Sequence, residues 1–231
     1  MKKYRLEFHL HTNYSYDAVI TTEDLVKARD EGKFDIVCIT DHDTAEGALE
    51  IKGKNLFPVI VGEEITSADG HLIGLFLKET IPPNLPAEET IARIKDQGGL
   101  VYSPHPFDFR NLGLGKKIYS LVSQVDIIEA FNGAGDFFCR NHRAKKFADD
   151  YHLPGVAGSD AHFPDEIGTC TTLVQAQCID DIMTPKGLLS SLDDCDVDAQ
   201  YHSIFKHAVE QVILSIKNRG WRVVKQGFRF K

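Results

Sequence analysis

The sequence predicts an α/β fold built on a parallel sheet, and three observations carry that reading. Short apolar runs rich in β-branched residues recur along the chain, and stretches with helical periodicity and capping signals separate them. The runs also end repeatedly in histidine or a carboxylate. In parallel βα architectures the residues just after each strand build the site, so this last pattern links fold to function. With 231 residues, 42% of them hydrophobic, the chain can bury one large core and reads as a single domain over 1–231.

The first strand is expected from Tyr4 to His9, where bulky and polar residues alternate, and it leads into His9-Leu10-His11. Side chains of an extended chain repeat with period two, so both imidazoles project from one face, about 6 to 7 Å apart at Cα, and can converge on one cation. A loop from Tyr14 to Ile20 contains Asp17. The helix after it runs to Glu31-Gly32, capped by Thr21 or Thr22 and closed by Gly32. The run Phe34 to Thr40 reads as a strand buried on both faces and ends in Asp41-His42-Asp43.

A helix from Thr44 to about Lys52 precedes the third run, Phe57 to Gly62, which ends in Glu63-Glu64. The fourth, His71 to Leu77, begins with a histidine. After a proline-rich loop, an amphipathic helix from Ala87 to Gln97 leads to Leu100–Ser103 and then Pro104-His105-Pro106. A glycine-containing stretch and a helix to about Ser123 follow. The sixth run, Val125 to Phe131, ends in Asn132-Gly133; a helix from Phe138 to Tyr151 precedes the seventh, Leu153 to Ala157, which ends in Gly158-Ser159-Asp160-Ala161-His162. Alternation of strand and helix implies crossover connections throughout. Six of the ten histidines belong to this set, counting His71 at the start of its run, a placement that scattered core histidines have no reason to adopt, and it points to a polynuclear metal site.

The formal net charge of −8 argues against a broad duplex-binding face. No run of 18 apolar residues exists and the start of the chain turns polar early, so a soluble cytoplasmic protein with no membrane partner is expected. The five cysteines form no C-x-x-C pair and read as reduced, buried hydrophobes. The acidic segment 180–200 reads as a solvated loop and short helix. Ser203 to Asn218 reads as a packed helix. Lys217 to Lys231 is basic and interleaved with aromatics, a terminal strand or tail whose alternative is a grip on single-stranded nucleic acid. His142, His152, His202 and His207 read as surface or packing histidines.

At this point the blocks His9-Leu10-His11-Thr12 with Ser15 and Asp17, Ile39-Thr40-Asp41-His42-Asp43, Gly62-Glu63-Glu64-Ile65, His71, Pro104-His105-Pro106, Glu129-Ala130-Phe131-Asn132 and Gly158-Ser159-Asp160-Ala161-His162 resemble the PHP superfamily of metal-dependent phosphoesterases. They span residues 5 to about 165 in order, leaving 166–231 as a C-terminal strand and helix extension with a basic tail. The resemblance implies a distorted (β/α)7 TIM-like barrel and three divalent metal ions. One would take His9, His11, Glu64 and Asp160; a second would share Glu64 and add His71 and His105; a third would take Asp17, His42 and His162. Of these, Glu64, Asp160 and His162 are the expected catalytic residues. The sequence departs from the commoner family spelling in placing Asp17 one residue later after Ser15, and it has no room for an inserted domain between His71 and His105.

Mixed carboxylate and imidazole donors without thiolate suit Mn, Zn or Fe. The implied chemistry is hydrolysis of a phosphomonoester of a small nucleotide-like or sugar-like substrate by a hydroxide bridging two metals. Asp41 and Asp43 are expected either to orient His42 or to cap the following helix. For the phosphate end, Arg110, Lys116, Lys117, Arg140 and Arg143 are the candidate cations, and Asn132 is a candidate substrate contact. The alternatives are an amidohydrolase-type C–N hydrolase, which also begins with HxH, and a phosphodiesterase or nucleic-acid-binding accessory module resting on the basic tail.

Overall fold

The computed structural model describes residues 1–108, 110, 113–134 and 140–201. The expected helix start at Phe138, Cys139, His202, His207, the Ser203 to Asn218 helix and the basic tail lie outside them. Among the described residues nine strands form one sheet: β1 (Lys2–Glu7), β2 (Ile36–Ile39), β3 (Val59–Ser67), β4 (Gly70–Leu75), β5 (Leu100–Ser103), β6 (Ile127–Asn132), β7 (Gly155–Gly158), β8 (Cys170–Ala176) and β9 (Asp196–Ala199). Their order is β7-β6-β5-β4-β3-β2-β1-β8-β9. The sheet curls until its ends nearly meet. Leu10, just past β1, bridges in parallel to Ala161, just past β7, with His11 N–H donating to the Ala161 carbonyl at 2.9 Å. Earlier along the same edge of β1, β8 runs antiparallel to β1, and Thr172 Oγ1 accepts the Ala157 N–H at 3.0 Å. The result is the distorted barrel that the sequence implies.

Alternation along buried strands sorts the core into two layers. Val37 and Ile39 of β2 face the helices α1 (Thr22–Asp30), α2 (Glu46–Gly53) and α3 (Ala87–Asp96), packing with Leu25, Ala48, Ile91 and Ile94. Ile36 and Cys38 face the barrel interior with Leu6, Phe8, Ile60, Tyr102 and Val174. Helix α1 begins as its residues dictate: Thr21 and Asp24 form a reciprocal capping box. The short α4 (Ile118–Leu121) and α5 (Asn141–Tyr151) follow β5 and β6, and α6 (Pro185–Ser191) covers the end of the barrel away from the His9 loop, with Leu188 in the interior layer. No helix among the described residues is long and apolar enough to cross a membrane.

Two expectations are corrected. The sheet is not parallel throughout: β4 is antiparallel to both β3 and β5. Only Ala68 and Asp69 separate β3 from Gly70, whose φ is +137°, and a two-residue connection can make a hairpin but never a crossover. The acidic segment 180–200 is not merely solvated loop and helix. Asp196 and Asp198 lie on β9 and pair with Lys3 at 3.1 Å and Arg5 at 2.7 Å, matching the basic start of β1.

In β6 the pairing with β7 slips between Glu129 and Phe131, a bulge that changes the parity of the strand. Glu129 and Asn132, three apart, therefore aim at the same side, with Asn132 Nδ2 donating to Glu129 Oε2 at 2.9 Å. Gly158 on β7 makes room for this carboxylate, since a Cβ there would lie 2.0 Å from Glu129 Oε1 and 2.7 Å from His9 Cβ. Gly158→Ala is expected to cost about 1–3 kcal/mol in urea unfolding, the range for an overfilled core; an unchanged midpoint would show that the strand ends yield freely.

Candidate metal centre

The strand ends bring the nine sequence-predicted ligands together at one mouth of the barrel. His9, His11 and Glu64 are at most 1% exposed, His105 is 2%, and Asp160, His71 and His162 lie between 6% and 7%. The side chains of His42 and Asp17 are the most open, at 10% and 21%. The hairpin explains His71. Being second on an antiparallel strand, after Gly70, it lies opposite Thr66, hence on Glu64's face of β3, and its Nδ1 is 2.9 Å from Glu64 Oε1.

Four donor atoms form the deepest group. His9 Nε2 and His11 Nε2 are 3.1 Å apart, each is 3.3 Å from Glu64 Oε2, and they stand 3.5 and 3.2 Å from Asp160 Oδ1. None of the four has a hydrogen to offer while the rings are neutral. Glu129 Oε1 is 2.9 Å from His9 Nδ1, and a carboxylate only accepts, so Nδ1 carries the proton and Nε2 presents a lone pair. Ser15 settles His11 in the same way. Its hydroxyl donates to Asp41 Oδ1 at 3.1 Å and accepts the His42 N–H at 2.9 Å, which leaves it to accept from His11 Nδ1 at 3.2 Å. A cation held tetrahedrally by nitrogen and oxygen at about 2.0–2.2 Å separates its ligands by about 3.3–3.5 Å. The observed spacings fit a divalent metal.

Two further groups adjoin this one. Glu64 Oε1 meets His71 Nδ1 and, at 3.0 Å, His105 Nε2, while its other oxygen meets His9, His11 and His42 Nδ1 at 3.2 Å. One carboxylate thus stands between two donor sets. On the solvent side Asp17 Oδ2 is 3.4 Å from His42 Nε2 and 3.5 Å from His162 Nε2, and the His162 Nδ1–H is spent on the Asp160 carbonyl at 2.8 Å.

Protons are what such a cluster holds in place of cations. Burial alone would lower the His9 pKa, yet the carboxylates of Asp160, Glu64 and Glu129 raise it well above the imidazole value. His162, also opposed by burial, is pushed up to about 9 by Asp17 and Asp160. Glu64 and Asp160 are held well below the carboxylate range against their burial by the surrounding imidazoles.

The second layer of residues is where sequence reasoning fell short. Glu129, fully buried, accepts four hydrogen bonds: from His9 Nδ1 and from Tyr102 Oη at 2.8 Å on one oxygen, and from His105 N at 2.6 Å and Asn132 Nδ2 on the other. The signal was an acid in the middle of the run Val125 to Phe131, flanked by Ile128 and Ala130 and separate from Asp126 at its start. Asn132, expected to touch substrate, is buried, and its amide also reaches Asp160 Oδ2 at 3.3 Å, so it holds a ligand instead. Asp41 accepts from Thr12 N and Oγ1 as well as Ser15, and Asp43 accepts from Thr66 N at 2.7 Å; neither caps α2, which starts at Glu46. Glu63 points away from the cluster and accepts the Ile81 N–H at 2.8 Å.

The basic candidates lie around the β5 and β6 loops. Arg110 bonds Asp108 at 3.2 Å, Lys117 pairs with Glu88 at 2.7 Å, and the Arg143 guanidinium lies 4.2 Å above the Phe107 ring. Arg140 stands at the start of α5 with a left-handed backbone, and Lys116 is exposed.

Comparison with known proteins identifies the family and the fold. The family model for the PHP domain matches residues 7–103, and that for the PHP-associated region matches 139–194. The chain belongs to the PHP superfamily. It is 37% identical over 141 residues to the uncharacterised protein MJ1587 of Methanocaldococcus jannaschii, covering 55% of this chain and 81% of that one. Among solved structures, a two-domain protein from Bacteroides vulgatus, described as containing a predicted PHP-like metal-dependent phosphoesterase, superposes with a TM-score of 0.69 at 19% identity over 91% of this chain and 70% of that one. The lesion-specific endonuclease EndoQ of Pyrococcus furiosus gives a TM-score of 0.62 at 16% identity, over 85% of this chain and 58% of its own. Both likenesses show the shared PHP fold.

Two outcomes follow from the protonation and the second layer. In metal-stripped protein the protons on His9 and His162 stabilise the fold fully below about pH 6.5. That contribution is lost as pH rises through about 9. Glu7 and Glu63, whose burial raises them to about 7 and about 8, are destabilising once ionised and act in the same direction. Its melting temperature is therefore expected to fall from pH 6.5 to 9, while metal-loaded protein holds level or rises because ligand deprotonation tightens binding; parallel curves for the two forms would contradict this. Glu129→Gln places an amide NH2 among four donors and is expected to weaken metal affinity about 10- to 100-fold by competition with a fluorescent chelator.

Proposed function

We propose that this PHP protein is a metal-dependent phosphoesterase that hydrolyses a phosphomonoester of a small nucleotide-like or sugar-like molecule. The observation that carries the reading is the group of four donors, His9, His11, Glu64 and Asp160, in which each imidazole nitrogen lies 3.1–3.5 Å from the other and from both carboxylate oxygens, beside two further donor sets. Three divalent ions, of Mn, Zn or Fe, fit these residues, and when bound they supply Lewis acidity and an activated water. Glu64, with one oxygen facing each donor set, would be shared between two of them, and Asp160, oriented by Asn132, would complete the His9 and His11 set from the β7 side. His162, its Nδ1–H committed to a backbone carbonyl, points Nε2 at the outer, solvent-facing set with Asp17 and His42, where phosphoryl oxygens would be received. Arg110, Lys116, Arg140 and Arg143 are the candidates for the distal charge of the substrate.

A C–N hydrolase of the amidohydrolase type is disfavoured by the bridge. Among the described strands lysine occurs only at Lys2 and Lys3, and Glu64 occupies the bridging place. The diester reading draws on the fold shared with EndoQ, whose chain is longer than the region matched.

The test is phosphate release by Mn-reconstituted protein across nucleoside phosphates, sugar phosphates and diesters, with His9→Ala as control. Monoester turnover is expected, with loss of roughly a hundredfold or more in the variant. Activity confined to diesters, or a metal-loaded protein inert to the whole panel, would sink the proposal.

A further inference from the structure

The candidate centre opens to solvent at one side, and an aromatic residue stands there. Exposure rises from His9 and His11, fully buried, to the side chains of His42 and Asp17 at 10% and 21%. Tyr16, between Ser15 and Asp17, is 71% exposed, and its ring stacks on His42 with centroids 5.3 Å apart and planes 23° from parallel. This is the residue by which the sequence departs from the Ser-Asp spelling. Its neighbours explain where it points. Ser15 is buried under hydrogen bonds to His11, Asp41 and His42, and Asp17 is turned toward His42 and His162, so the side chain between them projects outward over the mouth.

Tyr14, the other exposed aromatic of this loop, has its hydroxyl held by Glu50. Tyr16 is instead placed against a candidate ligand. His42 in turn stacks on His11, with centroids 4.4 Å apart, so three rings in series lead from the buried donors to the surface. A substrate whose phosphate reaches the outer donors must carry its remaining atoms past this tyrosine. The carboxylates of Asp17, Glu64 and Asp43 act on Tyr16, so this part of the rim favours a neutral organic group over an anionic one. A large exposed π-face is suited to a planar ring.

We propose that Tyr16 is a specificity-determining platform that stacks on the planar heterocycle of a base-bearing phosphate ester. The proposal rests on the phosphoesterase reading and chooses, within it, nucleotide-like over sugar-like substrates. Base stacking on an aromatic side chain supports a preference of roughly ten- to a hundredfold.

The experiment uses the full chain loaded with Mn, as wild type, Tyr16→Phe and Tyr16→Ala. It compares kcat/KM for AMP and for ribose 5-phosphate, which shares the phosphate and pentose but lacks the base. It also compares binding of the methylenephosphonate analogues of both, which are not hydrolysed. Wild type and Tyr16→Phe are expected to prefer the base-bearing member of each pair by roughly tenfold or more, and Tyr16→Ala to lose that preference through KM while its turnover of ribose 5-phosphate and its metal content stay within about twofold. Equal loss on both substrates, or loss of metal, would mean that Tyr16 only supports His42 and would overturn the proposal, as would no loss at all. If neither ester is hydrolysed but the Tyr16-dependent binding preference remains, the phosphoesterase reading fails and the platform stands. If both are hydrolysed without preference, the reverse holds.

Discussion

Two imidazole nitrogens held within 3.5 Å of each other and of two carboxylate oxygens in the barrel mouth are the constraint on which the rest of this structure depends. Two imidazole lone pairs and two carboxylate oxygens repel one another, and burial removes the water that would screen them. Only protons or cations relieve that repulsion, so the fold must both hold the donors together and decide which nitrogen of each ring carries hydrogen. Glu129 does this for His9, Ser15 and Asp41 for His11, and the Asp160 carbonyl for His162. The outer residues thus set the chemistry of the inner ones.

Two of the eight non-glycine residues with positive φ among the described residues are candidate ligands. His105 has φ +24° and Asp160 has φ +54°, conformations that cost a non-glycine residue on the order of 1–3 kcal/mol each. Each is tethered by its own backbone N–H, His105 to Glu129 at 2.6 Å and Asp160 to the His9 carbonyl at 2.8 Å. The β6 bulge and Gly158 serve that tether, one by turning Glu129 and Asn132 to the same side, the other by leaving space for the carboxylate.

The centre is graded from a sealed floor to an open rim. His9, His11 and Glu64 form the floor, where geometry is most tightly determined, and Asp17, His42 and Tyr16 form the rim, where a substrate can enter. The proposed reaction rests on the floor and the proposed substrate preference on the rim.

Much of this was legible without coordinates. Period-two strands, β-branched runs and capping signals located most of the elements to within a few residues, and histidines at strand ends marked the mouth of the barrel, because in βα folds chain order and spatial order coincide there. Chain order does not carry strand direction, parity or the use of a hydrogen. Hence the β3–β4 hairpin that brings His71 beside Glu64, the bulge that turns Glu129 inward, and the diversion of Asn132 from substrate to Asp160 were decided only by tertiary structure. Residue types determined which chemistry this protein is able to hold; the closure of the sheet, which places residues 9, 64 and 160 within hydrogen-bonding range, decided where and in what protonation state it is held.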